Sequence, residues 1–306
     1  MKHNKNVIGH MSAVLTMLIW GTTFISTKIL LLAFTPIEIL FCRFTIGLLV
    51  LMAVYPHRLK VKDKKQEIIF AFAGLCGVTM YYLFENIALT YTMASNAGVI
   101  ISVAPLFTAI LAHFFLEGEK LKVNFLIGFL TAIVGIGLIS FNGSTTFQIN
   151  PRGDMLAVAA AMVWSVYSIL TKKISAYGYH TIQTTRRIFF YGLLFMSPFL
   201  WIMDFQLKPE TLIKPLYLCN FLFLGLGASA LCFVTWNYAV KLLGVVKTSI
   251  YIYMTPVITV VTSVLILKEV ITGMAAVGTA LTLAGLFLSK SKIGLKKEKP
   301  ASEIIT

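Results

Sequence analysis

Charge is what this sequence has least of. Asp, Glu, Lys and Arg make up 12% of its 306 residues, and 58% are hydrophobic. A soluble domain carries about 25% charged and about 45–50% apolar residues, so a water-soluble globule is excluded. Cysteine is scarce too. Cys42, Cys76, Cys219 and Cys232 show no paired spacing, which excludes a disulfide scaffold and leaves them as small apolar residues. The five histidines form no metal-ligand pattern, so no metal site is expected. No glycine-rich loop ends in Lys-Ser or Lys-Thr, so ATP is not the direct energy source. Neither a nucleophile–base arrangement nor a catalytic acid pair is visible; no enzyme and no cofactor are expected.

Long apolar runs are abundant. Candidate blocks lie at about 8–32, 36–55, 67–90, 94–116, 123–141, 153–174, 180–203, 215–240, 244–267 and 272–290. Each approaches the roughly 20 apolar residues that a membrane helix needs. The first run extends past a signal-peptide core and closes on no small-x-small site. The connections are too short for a separate soluble domain. The expected fold is an all-α membrane protein of ten transmembrane helices, since helices satisfy their own backbone in lipid.

The net charge of +14 is distributed as topology. With the N-terminus in the cytoplasm, the inner segments collect Arg58, Lys60, Lys62, Lys64, Lys65, Lys172, Lys173, Lys241, Lys247 and the basic run from Lys290 to Lys299. The outer ones hold Arg152, Lys208, Lys214 and Lys268. That bias follows the positive-inside rule and puts both termini in the cytoplasm. The expected partner of the basic residues is anionic membrane lipid, not nucleic acid. The expected location is the cell membrane, a bacterial plasma membrane, crossed many times.

The chain repeats itself. "GHMSAVLTMLIWGTTFISTKIL" from Gly9 parallels "GDMLAVAAAMVWSVYSILTKKI" from Gly153, matching Trp20 to Trp164 and Thr27–Lys28 to Thr171–Lys172. "NIALTYTMASNAGVIISVAPLFTAILAHFFL" from Asn86 parallels "NYAVKLLGVVKTSIYIYMTPVITVVTSVLIL" from Asn237, matching Pro105 to Pro256. Glu119 and Glu269 follow in register. The expected organisation is a first repeat at 1–146, a second at 147–291 and a basic cytoplasmic tail at 292–306. Five helices per half is odd, so the two repeats should run through the membrane in opposite senses. Secondary transporters of that build hold their solute near the midplane between repeats.

These residues also carry a resemblance. "WGTTFISTK" in the first block, "CRF" at Cys42–Phe44, "APLFTAILAHFFLEGEKL" and its echo "TPVITVVTSVLILKEVIT", and the final "VGTALTLAGLFL" resemble, in order and in duplicate, the drug/metabolite transporter superfamily in its ten-helix, EamA-type branch. Ser165 departs from the pattern, since Gly21 follows the matching Trp. The resemblance implies secondary transport of small organic solutes such as amino acids, sugars, nucleosides or amphipathic compounds, by export or exchange. The alternative classes are a channel and a non-transporting membrane scaffold.

Glu85 lies inside an apolar run, where an ionised group is costly and marks a cavity, a partner or a proton site. Arg43 is expected at similar depth. An Arg43–Glu85 pair either couples transport, with a proton as the candidate ion, or only locks two helices. Trp20 and Trp164 fall near mid-span, away from the interfacial belts, and either wall a cavity or pack the core. Tyr82, Glu85, Asn86, Tyr167 and Asn237 complete the candidate binding set. Trp236 stands where the first half has Glu85, and Arg186 and Arg187 stand near the expected mate of Arg43. Asn96 and Ser102 are spaced to fall on nearby faces of one helix. Pro105 and Pro256 are hinge candidates or packed kinks. Gly128, Gly135, Gly278 and Gly285 permit close helix approach, within the fold or across a homodimer.

Overall fold

A computed structural model describes residues 2–91, 94–117, 123–140, 150–267 and 273–290. The Glu119–Glu269 match and the tail at 292–306 lie outside the described residues. Among the described residues there is no strand. The helical segments group into rods: α1 (Lys2–Leu30), α2 (Pro36–Val54), α3 (Lys64–Tyr91), α4 (Ala94–Ile101 and Ala104–Phe115), α5 (Val123–Ser140), α6 (Pro151–Ala176), α7 (Thr181–Ile202), α8 (Pro215–Leu243), α9 (Val245–Ser249, Ile250–Tyr253 and Met254–Leu267) and α10 (Gly273–Lys290). Among the described residues α1, α2, α3, α6 and α8 are each long and apolar enough to cross a membrane. The chain is a multi-pass membrane protein.

Local chemistry sets the rod ends. Thr35 caps α2 ahead of Pro36, and Glu38 closes a reciprocal capping box with it. Asn150, whose side chain accepts from Gly153 N, and Pro151 start α6 without the reciprocal bond. Gly244 ends α8 at φ 89°, a left-handed backbone that glycine adopts without a Cβ clash.

Four rods are irregular inside. In α3 the segment Leu75–Met80 is a π-helix, and so is Phe223–Leu231 in α8. α4 breaks at Ser102–Val103, just before Pro105. α9 tightens into a 3₁₀ turn at Ile250–Tyr253, just before Pro256. The sequence pointed to kinks at Pro105 and Pro256 and gave no sign of the irregular turns in α3 and α8. Prolines flag the second pair, but a π-helix needs no special residue and leaves no periodicity to read.

The packing pairs off under exchange of α1–α5 with α6–α10. α1 packs on α8 as α6 does on α3; α2 packs on α8 as α7 does on α3; α1 meets α9 as α6 meets α4. The pairs α2·α7 and α5·α10 map onto themselves. Glycines make the tightest crossings. A methyl on Gly74 would come within 2.6 Å of the Ile188 carbonyl oxygen, and one on Gly225 within 2.7 Å of Ile46 Cβ. Gly128 and Gly135 lie on the backbone of α10 at Gly285 and Gly278. Both ends of the glycine question therefore meet inside the chain, between α5 and α10.

Two groups of contacts mark opposite ends of the bundle. At one, Lys28 Nζ donates to the Leu89 carbonyl (2.6 Å), Asn150 Nδ2 donates to the Tyr91 carbonyl (2.9 Å), and Gln206 N donates to Glu38 Oε1 (3.1 Å). At the other, Lys62 N donates to Tyr179 Oη (3.1 Å), Arg186 donates to the carbonyls of Tyr55 and His57, and Arg187 pairs with Glu67.

Candidate functional site

The candidate site is a cavity of about 40 Å³ bounded by α1, α3, α4, α6 and α9. α1 contributes Met17, Trp20, Thr23 and Phe24, spaced for one helical face. α3 contributes Tyr81, Tyr82 and Glu85, from the turn just after its π-helix. Trp164 closes the wall from α6. The two irregular rods supply the rest: Gly98, Ile101 and Ser102 at the break of α4, and Ile252 and Thr255 at the 3₁₀ turn of α9. A volume of this size takes one or two waters. An organic solute enters only if the walls part.

The floor is an aromatic cluster. Trp20 and Trp164 touch edge to face at 5.2 Å between centroids, and Trp236 lies 5.4 Å from Trp20 and 5.9 Å from Trp164. Tyr81 stands 4.8 Å from Trp164 and 4.7 Å from Tyr82. Such pairs contribute about 0.5–1.5 kcal/mol each beyond their buried area. Trp20 Nε1 donates to the Ala228 carbonyl at 2.9 Å, inside the π-helix of α8. Cavity wall and packed core are thus the same residues, and the two readings of Trp20 and Trp164 merge.

Glu85 is 7% exposed. Its hydrogen bond comes from the Tyr81 hydroxyl at 3.5 Å, the long limit for such a contact. The expected Arg43–Glu85 pair is not formed. Among the described residues the ion pair is Arg187–Glu67. Arg43, 1% exposed, donates from Nε to Ser229 Oγ at 3.0 Å, and its guanidinium lies 4.5 Å from the centre of the Tyr82 ring and 5.3 Å from that of Phe44. Its Nη2 has no hydrogen-bond partner among the described residues. Arg43 lies behind Tyr82 and is not part of the cavity lining.

The remaining candidates divide. Asn86, beside Glu85, is 1% exposed, is not in the lining, and has neither amide atom bonded among the described residues. Asn237 sits elsewhere, accepting from the Tyr167 hydroxyl at 2.8 Å and donating to Thr185 Oγ1 at 3.0 Å. That network borders a second, smaller cavity with Thr171 and Lys241. Tyr167 and Asn237 are therefore apart from the main cavity. Ser102 donates to the Gly98 carbonyl of its own rod; the Asn96 side chain lies outside the described residues. Ser165, the departure from Gly21, donates to the Ala104 carbonyl and ties α6 to the break of α4.

Glycine register corrects one alignment. Gly74 meets Ile188 and Gly192 where Gly225 meets Arg43 and Ile46. With Gly47 matched to Gly192, the mate of Arg43 is Ile188, not Arg186 or Arg187. Those two arginines serve the end of the bundle. Sequence reasoning missed Ser229, Thr255 and Ile252. Nothing in an apolar run distinguishes a serine that holds an arginine from one that bonds its own helix.

Comparisons with known proteins cover nearly the whole chain. The EamA-like transporter family matches residues 7–141 and 151–290. An uncharacterized transporter of Archaeoglobus fulgidus is 31% identical over 288 residues, 92% of this chain and 97% of that one. A probable terminal-alkyne amino-acid exporter of Streptantibioticus cattleyicolor is 28% identical over 289 residues, covering 93% and 94%. A solved crystal structure superposes with a TM-score of 0.76 at 22% identity, over 95% of this chain and 97% of that one, a likeness of fold.

Proposed function

This chain belongs to the EamA-like transporter family, and from that premise we propose that it is a secondary transporter of small organic metabolites, amino acids or amphipathic compounds, working by alternating access as an exporter or exchanger. The observation that carries the proposal is the cavity itself. It lies where the two halves meet, is walled by matched tryptophans and by the irregular turns of α4 and α9, and holds one carboxylate. Irregular helices around a central site are the usual build of such transporters.

The layout belongs to the same proposal: ten spans in two inverted five-helix repeats at 1–146 and 147–291. The pairwise exchange of contacts supports it. So does the meeting of the C-terminal end of α3 with the N-terminal cap of α6. Lys62 of the α2–α3 connection, through its backbone N–H, and Lys241, through Nζ, both meet Tyr179 at one end; with the other basic residues of that connection this supports a cytoplasmic face there, and with it cytoplasmic termini and a place in the cell membrane. The breaks before Pro105 and Pro256 are the proposed hinges, and the tail at 292–306 the proposed lipid contact. A homodimer loses its support from the α5 and α10 glycines, which are used within the chain.

Glu85 is the proposed coupling group. The test is solute uptake into proteoliposomes with and without a pH gradient. The unmodified protein is expected to accumulate solute when the gradient is imposed. Glu85→Gln should lose that response while still exchanging solute. Equal accumulation by both proteins removes Glu85 from coupling, and no saturable flux in either removes the transporter reading.

A further inference from the structure

Two buried charges lie close to the cavity, and the fold treats them differently. Arg43 stands behind the wall: Ser229 takes its Nε, Tyr82 and Phe44 flank its guanidinium, and it does not line the cavity, although its charge still acts on Glu85. Lys28, one helical turn beyond Phe24, donates to the Leu89 carbonyl and is not part of the lining. Glu85 is the charged side chain among the described residues that line the cavity. Its single long bond from Tyr81 leaves most of its acceptor capacity free.

The rings around Glu85 reinforce its sign. Aromatic faces are electron-rich, and a cation over such a face within about 6 Å is attracted to it. Tyr81, Trp20 and Trp164 present three rings to one small space beside a carboxylate, while the Tyr82 ring is already engaged by Arg43. A group of positive charge finds both kinds of attraction there. A lone carboxylate on a solute meets a like charge in a site of low dielectric, where repulsion is large.

We propose that the transported solute carries a protonated amine, held between the Glu85 carboxylate and the Tyr81–Trp164 ring pair, with its apolar remainder against Trp20, Met17 and Ile252, and that a compound whose sole charge is a carboxylate is rejected. This rests on the cavity being the solute site of the transporter proposed above. It adds the class of solute.

Three probes share one body and differ in charge: 2-phenylethylamine, phenylalanine and 3-phenylpropionate. Binding to the purified protein is read by tryptophan fluorescence and by the shift of its unfolding midpoint. The expected order of affinity is amine, then zwitterion, then carboxylate, with at least about a tenfold gap between first and last, the size of one charge-assisted hydrogen bond. Glu85→Gln is expected to weaken the amine at least about tenfold, and Glu85→Asp, which keeps the charge, to recover part of that. If Glu85→Gln fails to fold, the order of the three probes on the unmodified protein still decides. A carboxylate that binds as tightly as the amine, an amine that does not bind, or unchanged amine affinity in Glu85→Gln overturns the proposal. Uptake of carboxylates alone would sink it and leave the transporter standing. Amine binding without flux in proteoliposomes would do the reverse.

Discussion

α3 and α8 are built alike, one in each of the two segments that match the family, and they do opposite things just after the same irregular turn. Each has a π-helix followed by an aromatic-rich turn. In α8 that turn carries Trp236, fully buried among Trp20 and Trp164, and Asn237, bonded to Tyr167 and Thr185. In α3 it carries Glu85 in the cavity wall and Asn86 with its amide unbonded among the described residues. The neighbouring rods follow suit, with Arg43 in α2 against Ile188 in α7. A buried polar group without partners is costly. Beside the cavity that cost falls on Arg43 and Asn86 of the first half, whereas the matched Asn237 is bonded and Trp236 is packed among rings, with its Nε1 unbonded among the described residues. A pseudo-symmetric scaffold can therefore hold an asymmetric site.

The widest effect is expected where the polar half is converted into its partner. Arg43→Ile copies Ile188. A buried charge without a counter-ion is costly to hold, so exchanging it for an apolar side chain removes that cost. The unfolding midpoint should stay level or rise, while uptake falls by about tenfold or more, the equivalent of one charged hydrogen bond. Undiminished uptake would mean that the Arg43 charge is not functional.

The glycine crossings offer a smaller contrast. An added methyl on Gly74 meets backbone atoms of α7, whereas one on Gly225 meets the Ile46 side chain. Gly74→Ala should cost about 1–3 kcal/mol of stability, and Gly225→Ala somewhat less: Ile46 Cγ2 at 2.5 Å can turn away, but Ile46 Cβ at 2.7 Å is fixed to the α2 backbone. Equal midpoints would show that the two crossings are equally tight.

The asparagines give the finest test. Asn237→Leu strands the Tyr167 hydroxyl and Thr185 in a dry place and should cost about 1–3 kcal/mol. Asn86→Leu removes an amide that bonds to nothing described, so stability should change little or improve. Thermal unfolding of both in one detergent reads the difference, and a larger loss at Asn86 would reverse the assignment of packing and function between halves.

Much of this was legible in order along the chain. Apolar blocks predicted the helical class, because a backbone in lipid must satisfy itself and helices do so locally. Paired motifs such as Trp20 with Trp164 and Pro105 with Pro256 announced the repeat, and the family match covers both halves. Glu85 stood out because a carboxylate inside an apolar run is expensive wherever that run is placed. Each of these depends on a residue and its near neighbours alone. Which charge faces the cavity did not. Arg43 and Glu85 look like a pair from depth, yet Ser229 and Tyr82, distant in sequence, hold the guanidinium aside. Tyr167 and Asn237 look like wall residues, yet they bond to each other away from the main cavity. The π-helices of α3 and α8 rotate every following side chain relative to an ideal helix, so a face counted in steps of 3.6 residues is wrong beyond them. Side-chain direction past such a shift is decided by what each helix packs against.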